Sequence, residues 1–370
     1  MSKVMVRTST YDEQRLRPLL FGMLARLDGG RIQRGVRVLV KPNLLSPAAP
    51  DDAVLTHPLV VKAVVEYCLE KGARVQLSDS PAIGSFERIL RVSGIAEALR
   101  GLDCVCRPFE KSVRVDVGKP FDRIDIAEDA LNADLIINLP KLKTHGHMLL
   151  TLAVKNMFGC IVGFRKPEWH MRAGVDRDMF ARLLVRIHAR VRPAFAILDG
   201  ILAMEGEGPG RSGSPRQLGV LMGSRDGQAI DEAVCRMVGI DPLLLPTHMA
   251  AQAYGLIDEN IEIDGRLPRV AHFRLPEIAP LVFGPKAFQG FVRRHLVQRP
   301  VCDPLRCKMC SECWKICPAA AIAARNDGLS FDYDRCIRCY CCIEVCPHGA
   351  LRAVETTVGR AIRRAAFKIF

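Results

Sequence analysis

Two matching cysteine strings near the C-terminus constrain the fold of this chain more than any other feature. Each string has the form C-x2-C-x2-C-x3-C-P, and the second begins 29 residues after the first. The strings contain Cys307, Cys310, Cys313 and Cys317, and then Cys336, Cys339, Cys342 and Cys346. Eight cysteines in this register predict two [4Fe-4S] clusters. Such clusters would hold together a segment that is too small to bury a sufficient core of its own.

The order of the spacers predicts which cysteines share a cluster. Three cysteines separated by two residues surround one cluster from a single loop, whereas the fourth, beyond a three-residue spacer, reaches the other cluster. We therefore assign Cys307, Cys310, Cys313 and Cys346 to one cluster, and Cys336, Cys339, Cys342 and Cys317 to the other. Zinc is the alternative, because C-x2-C also binds zinc, but zinc sites take their ligands from separated pairs. Cys341 falls inside a spacer, and we interpret it as a thiol that binds no cluster.

Residues 301–354, which contain both strings, resemble the bacterial-type two-cluster ferredoxin module. The resemblance implies a small α+β domain that transfers single electrons at low potential. The seven cysteines outside the strings show no paired framework of disulfides. No segment has the form of a signal peptide or approaches the roughly 20 apolar residues that span a bilayer. We therefore expect the protein in a reducing, oxygen-poor cytoplasm.

Much of the net charge of +13 lies in two short stretches that flank the cysteine strings. Residues 286–299 and 356–370 each contain four Lys or Arg and no acid, and both have the apolar spacing of an amphipathic helix. We predict a basic linker helix over 284–300 and a basic tail helix over 355–370. Both helices either pack on the large domain with their basic faces in solvent, or contact an acidic redox partner or the anionic inner face of the membrane. No nucleic-acid partner is expected, because no binding motif or aromatic-rich basic groove appears.

Residues 1–283 alternate short β-rich runs with helical stretches. A helix is predicted from Pro58 to Lys71, with Thr56 as its cap, and another over residues 86–92. Candidate strands cover residues 36–40, 74–77, 133–139, 194–198 and 218–222. The alternation predicts an α/β domain with a large parallel or mixed sheet. The small α+β domain that the ferredoxin resemblance implies follows it.

Polar side chains follow the ends of several of these strands, where ligands collect in α/β sheets. The candidate catalytic residues are Lys41 and Asn43 after the first strand, Asp79 after the second, and Lys141, Lys143, His145 and His147 after the third. The lysines, together with Lys155, would attract a carboxylate, a phosphate or a polarised carbonyl. The two histidines would supply a proton. A metal site at the histidines is the alternative, but no third ligand lies nearby in the sequence.

Six segments of the large domain resemble the family catalogued as domain of unknown function 362, which is often fused to ferredoxin modules. They are VKPNLL (40–45), LSDSP (77–81), INLPKLKTHGH (137–147), LAVKNMFG (152–159), ILDGILAMEGEGP (197–209) and AIDEAVCRMVGIDP (229–242). The resemblance covers most of residues 1–255. It implies an iron-sulfur redox protein whose large domain handles an unidentified substrate.

The absence of two nucleotide-binding motifs limits the choice of further cofactors. No G-x-G-x-x-G follows a strand into a helix and no G-x4-G-K-[ST] occurs, so neither a dinucleotide nor a nucleoside triphosphate is expected, while flavin stays open. We predict a cytoplasmic iron-sulfur oxidoreductase, in which a redox partner protein loads electrons onto two [4Fe-4S] clusters. A small, anionic substrate in the α/β cleft would receive them. The alternative is a non-catalytic electron-transfer or adaptor subunit that docks a partner redox enzyme.

Overall fold

The structure, a computed structural model, describes residues 1–163, 165–173, 176–258, 260–276, 295, 297–326 and 328–358. The strands are β1 (Ser2–Thr8), β2 (Arg37–Pro42), β3 (Arg74–Leu77), β4 (Cys104–Cys106), β5 (Ser112–Gly118), β6 (Asp122–Ala127), β7 (Leu135–Leu139), β8 (Lys141–His145), β9 (Leu149–Thr151), β10 (Phe195–Gly206), β11 (Gly213–Ser224), β12 (Ile261–Asp264), β13 (Arg299–Cys302), β14 (Ile322–Arg325), β15 (Gly328–Phe331) and β16 (Leu351–Val354). The helices are α1 (Glu13–Asp28), α2 (Pro58–Glu70), α3 (Phe86–Val92), α4 (Ile95–Ala98), α5 (Glu128–Asn132), α6 (Ala153–Asn156), α7 (Arg165–Ala173), α8 (Arg177–Val191), α9 (Gly227–Val238), α10 (Pro246–Ala253), α11 (Glu312–Lys315) and α12 (Cys341–Val345).

A ten-stranded mixed sheet organises the large domain. Its main path runs β12-β1-β11-β10-β7-β2-β3-β4, and β8 and β9 branch from β10. The five strands from β10 to β4 are parallel, whereas β11 pairs antiparallel with both β10 and β1. The predicted α/β fold with a large parallel or mixed sheet is therefore confirmed.

Alternating side chains of the central strands build a core on each face of the sheet. Val38 and Val40 of β2 join residues of α1 and α2 in one apolar cluster. Leu39, which points to the opposite face, joins residues of α8 in another. Helices thus cover both faces, and the ends of the strands are left as the place where polar side chains gather.

Two local predictions at the strand ends were wrong. The cap of α2 is His57, whose Nδ1 accepts a hydrogen bond from the Leu59 amide at 3.2 Å. Thr56 instead joins two strand ends, because its hydroxyl accepts from the Asn43 amide at 2.8 Å and donates to the Leu139 carbonyl at 2.7 Å. The polar segment after Leu139 is a buried strand, β8, since pairing with β10 and β9 satisfies its backbone there.

The small C-terminal domain consists of two similar halves, and its predicted α+β character is confirmed. The strand that opens the first half, β13, pairs with the strand that closes the second, β16, while β14 and β15 pair with each other. Helices α11 and α12 occupy corresponding places, since each begins in the second two-residue spacer of its cysteine string and contains the third cysteine. The predicted boundary at 283 and most of the basic linker and tail fall on residues 277–294, 296 and 359–370, which lie outside the described residues. The predicted boundary at 300 falls inside β13.

Candidate active site

The cysteines gather into two groups, and each group takes three residues from one loop and one from the other. Cys313 has Cys346, Cys310 and Cys307 as neighbours, and burial together with these thiols raises the pKa of Cys313 to about 12. Cys317 has Cys339 and Cys336 as neighbours, and the pKa of Cys317 is raised by burial and by both. These are the sets that the crossed assignment brings together.

The cysteine loops have a backbone that fits cluster binding. Met309 and Ser311 in the first loop have φ of 49° and 73°, and the corresponding Arg338 and Tyr340 in the second have φ of 60° and 59°. Left-handed backbone at a residue other than glycine costs of order 1 kcal/mol or more, and it persists where the surroundings require it. The same unusual conformation at the same two positions of each loop indicates one shared requirement, which is to wrap three sulfurs around a common centre.

Backbone amides also point at the sulfurs that cross between the halves. The Ala321 amide donates to Cys317 Sγ at 3.3 Å, and the Ala350 amide donates to Cys346 Sγ at 3.2 Å. Such donors stabilise a negatively charged thiolate and tune the potential of an iron-sulfur centre. The eight cysteines therefore fit the predicted group. Cys302, which the spacing did not reveal, lies beside Cys307.

A cavity lies between the large domain and the second cysteine loop. It has a volume of about 100 Å³, which is room for several water molecules or one small ligand. We call it the interdomain cavity. It is lined by Lys41, Asn43, Asp79, Lys143 and His145 of the large domain and by Cys341 and Glu344 of α12.

A buried ion pair joins the ends of β2 and β3 at this cavity. Lys41 Nζ lies 3.0 Å from Asp79 Oδ1, with side chains 0% and 4% exposed. The second carboxylate oxygen accepts from the Leu44 amide at 2.9 Å, and Lys41 also donates to the Pro42 carbonyl at 2.9 Å. Such additional partners are what a desolvated pair needs to persist. Gly159 covers the pair, since a Cβ there would lie 2.1 Å from Asp79 Oδ1.

Amide side chains extend this network to helix α6. Asn43 donates to Asn156 Oδ1 at 2.8 Å, and Asn156 donates in turn to Asn138 Oδ1 at 2.7 Å. Helix α6 is held by Asp231, whose carboxylate accepts from the Ala153 amide at 2.8 Å and from the Val154 amide at 3.2 Å. Burial raises the pKa of Asp231 to about 8. Asp231 therefore positions α6, which carries Lys155 and Asn156 into the cavity wall.

His145 links the large domain to the C-terminal domain. Its Nδ1 accepts from the amides of His147 and Met148 at 3.1 and 3.2 Å, so in the neutral ring the proton is on Nε2. That nitrogen lies 3.0 Å from Glu344 Oε1 on α12. Burial lowers the pKa of His145 to about 4. Burial acts to raise the pKa of Glu344, but the neighbouring His145 and Lys155 outweigh it and hold that pKa well below its usual value.

Three lysines at the cavity have no carboxylate within ion-pair distance among the described residues. Lys143 Nζ donates to the Val54 carbonyl at 2.7 Å, and Lys166 donates to the Ser80 carbonyl. Burial lowers the pKa of Lys143 and of Lys155, and it lowers the pKa of Lys166 to about 8. These pKa values fall because burial disfavours the ammonium forms, and the nearby charges of Asp79 and Glu344 do not offset this effect.

Two of the predicted residues lie away from the cavity. Lys141 is buried in an ion pair with Asp199 at 2.7 Å and also donates to the Tyr11 hydroxyl at 2.9 Å. His147 packs against Phe180, with ring centroids 5.6 Å apart, and burial lowers the pKa of His147 well below its ordinary value. Within the described parts of the chain, no three His, Cys, Asp or Glu side chains surround a point suited to a single metal ion.

Sequence reasoning missed several residues of the cavity, among them Lys166, His170 and Glu344. Lys166 and His170 lie on α7, far from any predicted strand end. Glu344 had a usable signal, because the corresponding position of the first cysteine string holds Lys315. A reversal of charge between two otherwise matching repeats marks a position where the two halves face different surroundings.

Comparisons with known proteins agree with this organisation. A family model described as "Domain of unknown function (DUF362)" matches residues 38–236, and one described as "4Fe-4S binding domain" matches residues 329–352. The chain is 35% identical over 309 residues to a thylakoid-associated protein of Synechocystis sp., covering 81% of this chain and 96% of that protein.

Two solved structures share a more distant likeness. One is a protein of Thermotoga maritima, with 15% identity, a TM-score of 0.36, and coverage of 58% of this chain and 56% of that one. The other is the lactate racemase apoprotein of Thermoanaerobacterium thermosaccharolyticum, with 14% identity, a TM-score of 0.34, and coverage of 60% and 54%. Both TM-scores are below 0.5, so neither structure informs the function.

Proposed function

This chain belongs to the DUF362 family, and from that premise we propose that it is an iron-sulfur oxidoreductase whose clusters pass single electrons to a small anionic acceptor in the interdomain cavity. The match to a 4Fe-4S binding domain supports iron-sulfur electron transfer. The number of clusters, the anionic acceptor and its binding site in the interdomain cavity are our proposal.

The observation that carries the proposal is the position of α12. Cys341 lines the interdomain cavity and stands between Cys339 and Cys342, two of the cysteines assigned to one cluster. Glu344, one turn further, lies against His145 of the large domain. An acceptor in the cavity would therefore lie next to Cys341 of the second cysteine loop.

The charges of the cavity support an anionic acceptor. Lys41, Lys143, Lys155 and Lys166 bring four formal positive charges, against one negative charge each from Asp79 and Glu344. A carboxylate or phosphate bound among these lysines would stabilise their ammonium forms, and it would raise the lowered pKa values of Lys143, Lys155 and Lys166. Binding of such an anion would accordingly be accompanied by uptake of protons from the buffer.

The chemistry follows from these groups. A bound [4Fe-4S] cluster supplies one electron at a time. The acceptor would gain these electrons one at a time without a bond to the protein. An acceptor that takes up two protons with two electrons would receive one proton from Lys166, whose pKa burial lowers to about 8, and the other from solvent. Glu344 Oε1 lies 3.0 Å from His145 Nε2, and this contact orients α12 on the cavity.

The test uses anaerobically reduced protein freed of excess reductant and mixed with small carboxylates and phosphate esters as oxidants. Loss of the cluster EPR signal reports electron transfer to the added compound. We expect one class of anion to reoxidise the clusters rapidly in the wild type and slowly in Lys155→Ala. The control is Lys119→Ala, at an exposed lysine between β5 and β6, and it should behave like the wild type. Equal rates in all three proteins would show that oxidants react at the surface and that the cavity has no part.

A second proposal concerns location, because the relative of Synechocystis sp. is named for an association with thylakoids. We propose that the basic stretches beside the C-terminal domain give this chain a peripheral contact with an anionic membrane. Within the described residues, no helix is both long and apolar enough to cross a bilayer. Cosedimentation with anionic liposomes should weaken when the chain is truncated after residue 355, and equal sedimentation of both forms would count against the contact.

A further inference from the structure

The two cysteine loops are alike in sequence and backbone but opposite in exposure. In the first loop Met309 and Cys310 are exposed to solvent. The corresponding residues of the second loop are Arg338 and Cys339, which are 2% and 7% exposed. The second loop is covered because α12 lies on the large domain, where an added Cβ at Gly210 would be 2.6 Å from the Glu344 carbonyl oxygen.

The surface around the first loop combines cations with projecting apolar side chains. Leu305 is 88% exposed and Met309 is 39% exposed. Arg306, Lys308 and His348 line a groove beside them, together with Arg211 and Asp52 of the large domain. Arg211 pairs with Asp52 at 3.3 Å, whereas Arg306 and Lys308 have no ion pair among the described residues. We call Leu305, Arg306, Lys308 and Met309 the first-loop face.

This combination fits a protein better than a small molecule. The groove is open to solvent and is lined mainly by charged side chains. Leu305 and Met309 project from the surface beside it, where they would meet another surface. Exposed cations attract an acidic partner over a distance and speed its encounter, while a small apolar contact lets the complex separate quickly. Weak redox complexes have small interfaces of this kind.

We propose that the first-loop face docks an acidic one-electron carrier protein and is the point at which electrons reach this chain. The inference rests on the proposed function, and it gives the electron path a direction, from the exposed first loop to the covered second loop and on to the cavity. In each encounter the carrier is oxidised by one electron and the centre held by the first loop is reduced by one. No bond is made or broken and no proton moves.

Binding tests the proposal without any acceptor. The probe is an oxidised plant-type [2Fe-2S] ferredoxin, an acidic carrier, titrated by calorimetry into the anaerobically purified full chain. The test variant is Arg306→Glu/Lys308→Glu. The matched control is Lys71→Glu/Arg74→Glu, which reverses the same number of charges at exposed positions near the start of β3. Iron content and the visible spectrum establish that each variant holds its clusters.

We expect saturable wild-type binding that weakens with salt, a loss of about tenfold in affinity for the test variant, and wild-type affinity for the control. No saturable binding by the wild type, or equal weakening in both variants, would overturn the proposal. The proposal would also be overturned if the test variant lost binding to anionic vesicles but kept its affinity for ferredoxin, since the first-loop face would then be a lipid contact. Lys155→Ala should bind ferredoxin like the wild type, so failure of the cavity proposal alone leaves this result unchanged.

Discussion

The substitution Gly159→Ala should destabilise the large domain because it disrupts the buried ion pair at the cavity. A Cβ at this position would lie 2.1 Å from Asp79 Oδ1 and 2.5 Å from Lys41 Nζ. Gly159 does not have the positive φ that would strain an alanine, so the effect comes from this contact alone. The lysine and the carboxylate, now 3.0 Å apart and almost fully buried, would have to separate.

The expected cost follows from the burial of both charges. Breaking a buried pair costs about 3–5 kcal/mol, because each charge then lacks its partner in a desolvated site. With an m-value of about 3 kcal/mol per M, the urea midpoint should fall by roughly 1 to 2 M. The two tryptophans report on different domains, since Trp169 lies in the large domain and Trp314 lies beside the first cysteine loop. Fluorescence of Trp169 in a Trp314→Phe background therefore reports the unfolding of the large domain.

The control makes the same chemical change where nothing obstructs it. Gly22 is exposed in α1, and an added Cβ meets no atom within 4 Å. Gly22→Ala should therefore stabilise the domain by about 0.5–1 kcal/mol through the backbone entropy of the unfolded chain. If Gly159→Ala unfolds within about 0.5 kcal/mol of the wild type, the argument from the Lys41–Asp79 pair is refuted.

Three further predictions follow from the cysteine loops, the buried histidines and the domain contact. Protein purified without oxygen should contain about eight irons and eight sulfides per chain. Cys336→Ala should lower the iron content, and Cys341→Ala should leave it unchanged. Stoichiometric zinc in place of iron would contradict the assignment of the cysteines to two clusters. Burial lowers the pKa of His188 from an ordinary 6.5 to about 4, so between these pH values the unfolded chain binds more protons than the folded one, and stability falls as the pH drops. His188→Gln should therefore lessen the decrease in urea midpoint from about pH 7 to about pH 5. An identical decrease in both proteins would refute this account. Gly210→Ala should loosen α12 from the large domain, because the new Cβ would lie 2.6 Å from the Glu344 carbonyl oxygen; hydrogen exchange of α12 amides should become faster, and unchanged protection would argue against a close domain contact.

Local patterns in the sequence predicted the elements of the fold well where one face or both faces of an element are apolar. The candidate strand over residues 74–77 and the helix over 86–92 have the observed bounds of β3 and α3. The segment from Lys141 to His145 was not predicted as a strand, because its alternation places lysine and histidine where a buried strand normally has apolar residues. Its side chains are buried only because Asp199, Val54 and Glu344, all distant in sequence, provide their polar partners.

The same distinction holds for the candidate site. Lys41, Asn43, Asp79, Lys143 and His145 do meet at one cavity, as the strand-end argument predicts, since parallel strands deliver their carboxyl ends to one edge. Lys141 has the same chemistry and lies on the same strand as Lys143, yet the register of β8 against β10 places it opposite Asp199 and away from the cavity. Nothing local to either lysine distinguishes them.

The sequence by itself predicted the iron-sulfur chemistry, because the spacing of cysteines along a short loop brings three sulfurs to a common centre. It could not determine which of the two equivalent loops is covered and which is exposed. That choice depends on the packing of α12 against the large domain, through the contact between Glu344 and His145. Contacts between residues so far apart in the chain exist only after both domains have folded, and so only the tertiary structure gives the two loops their different surroundings.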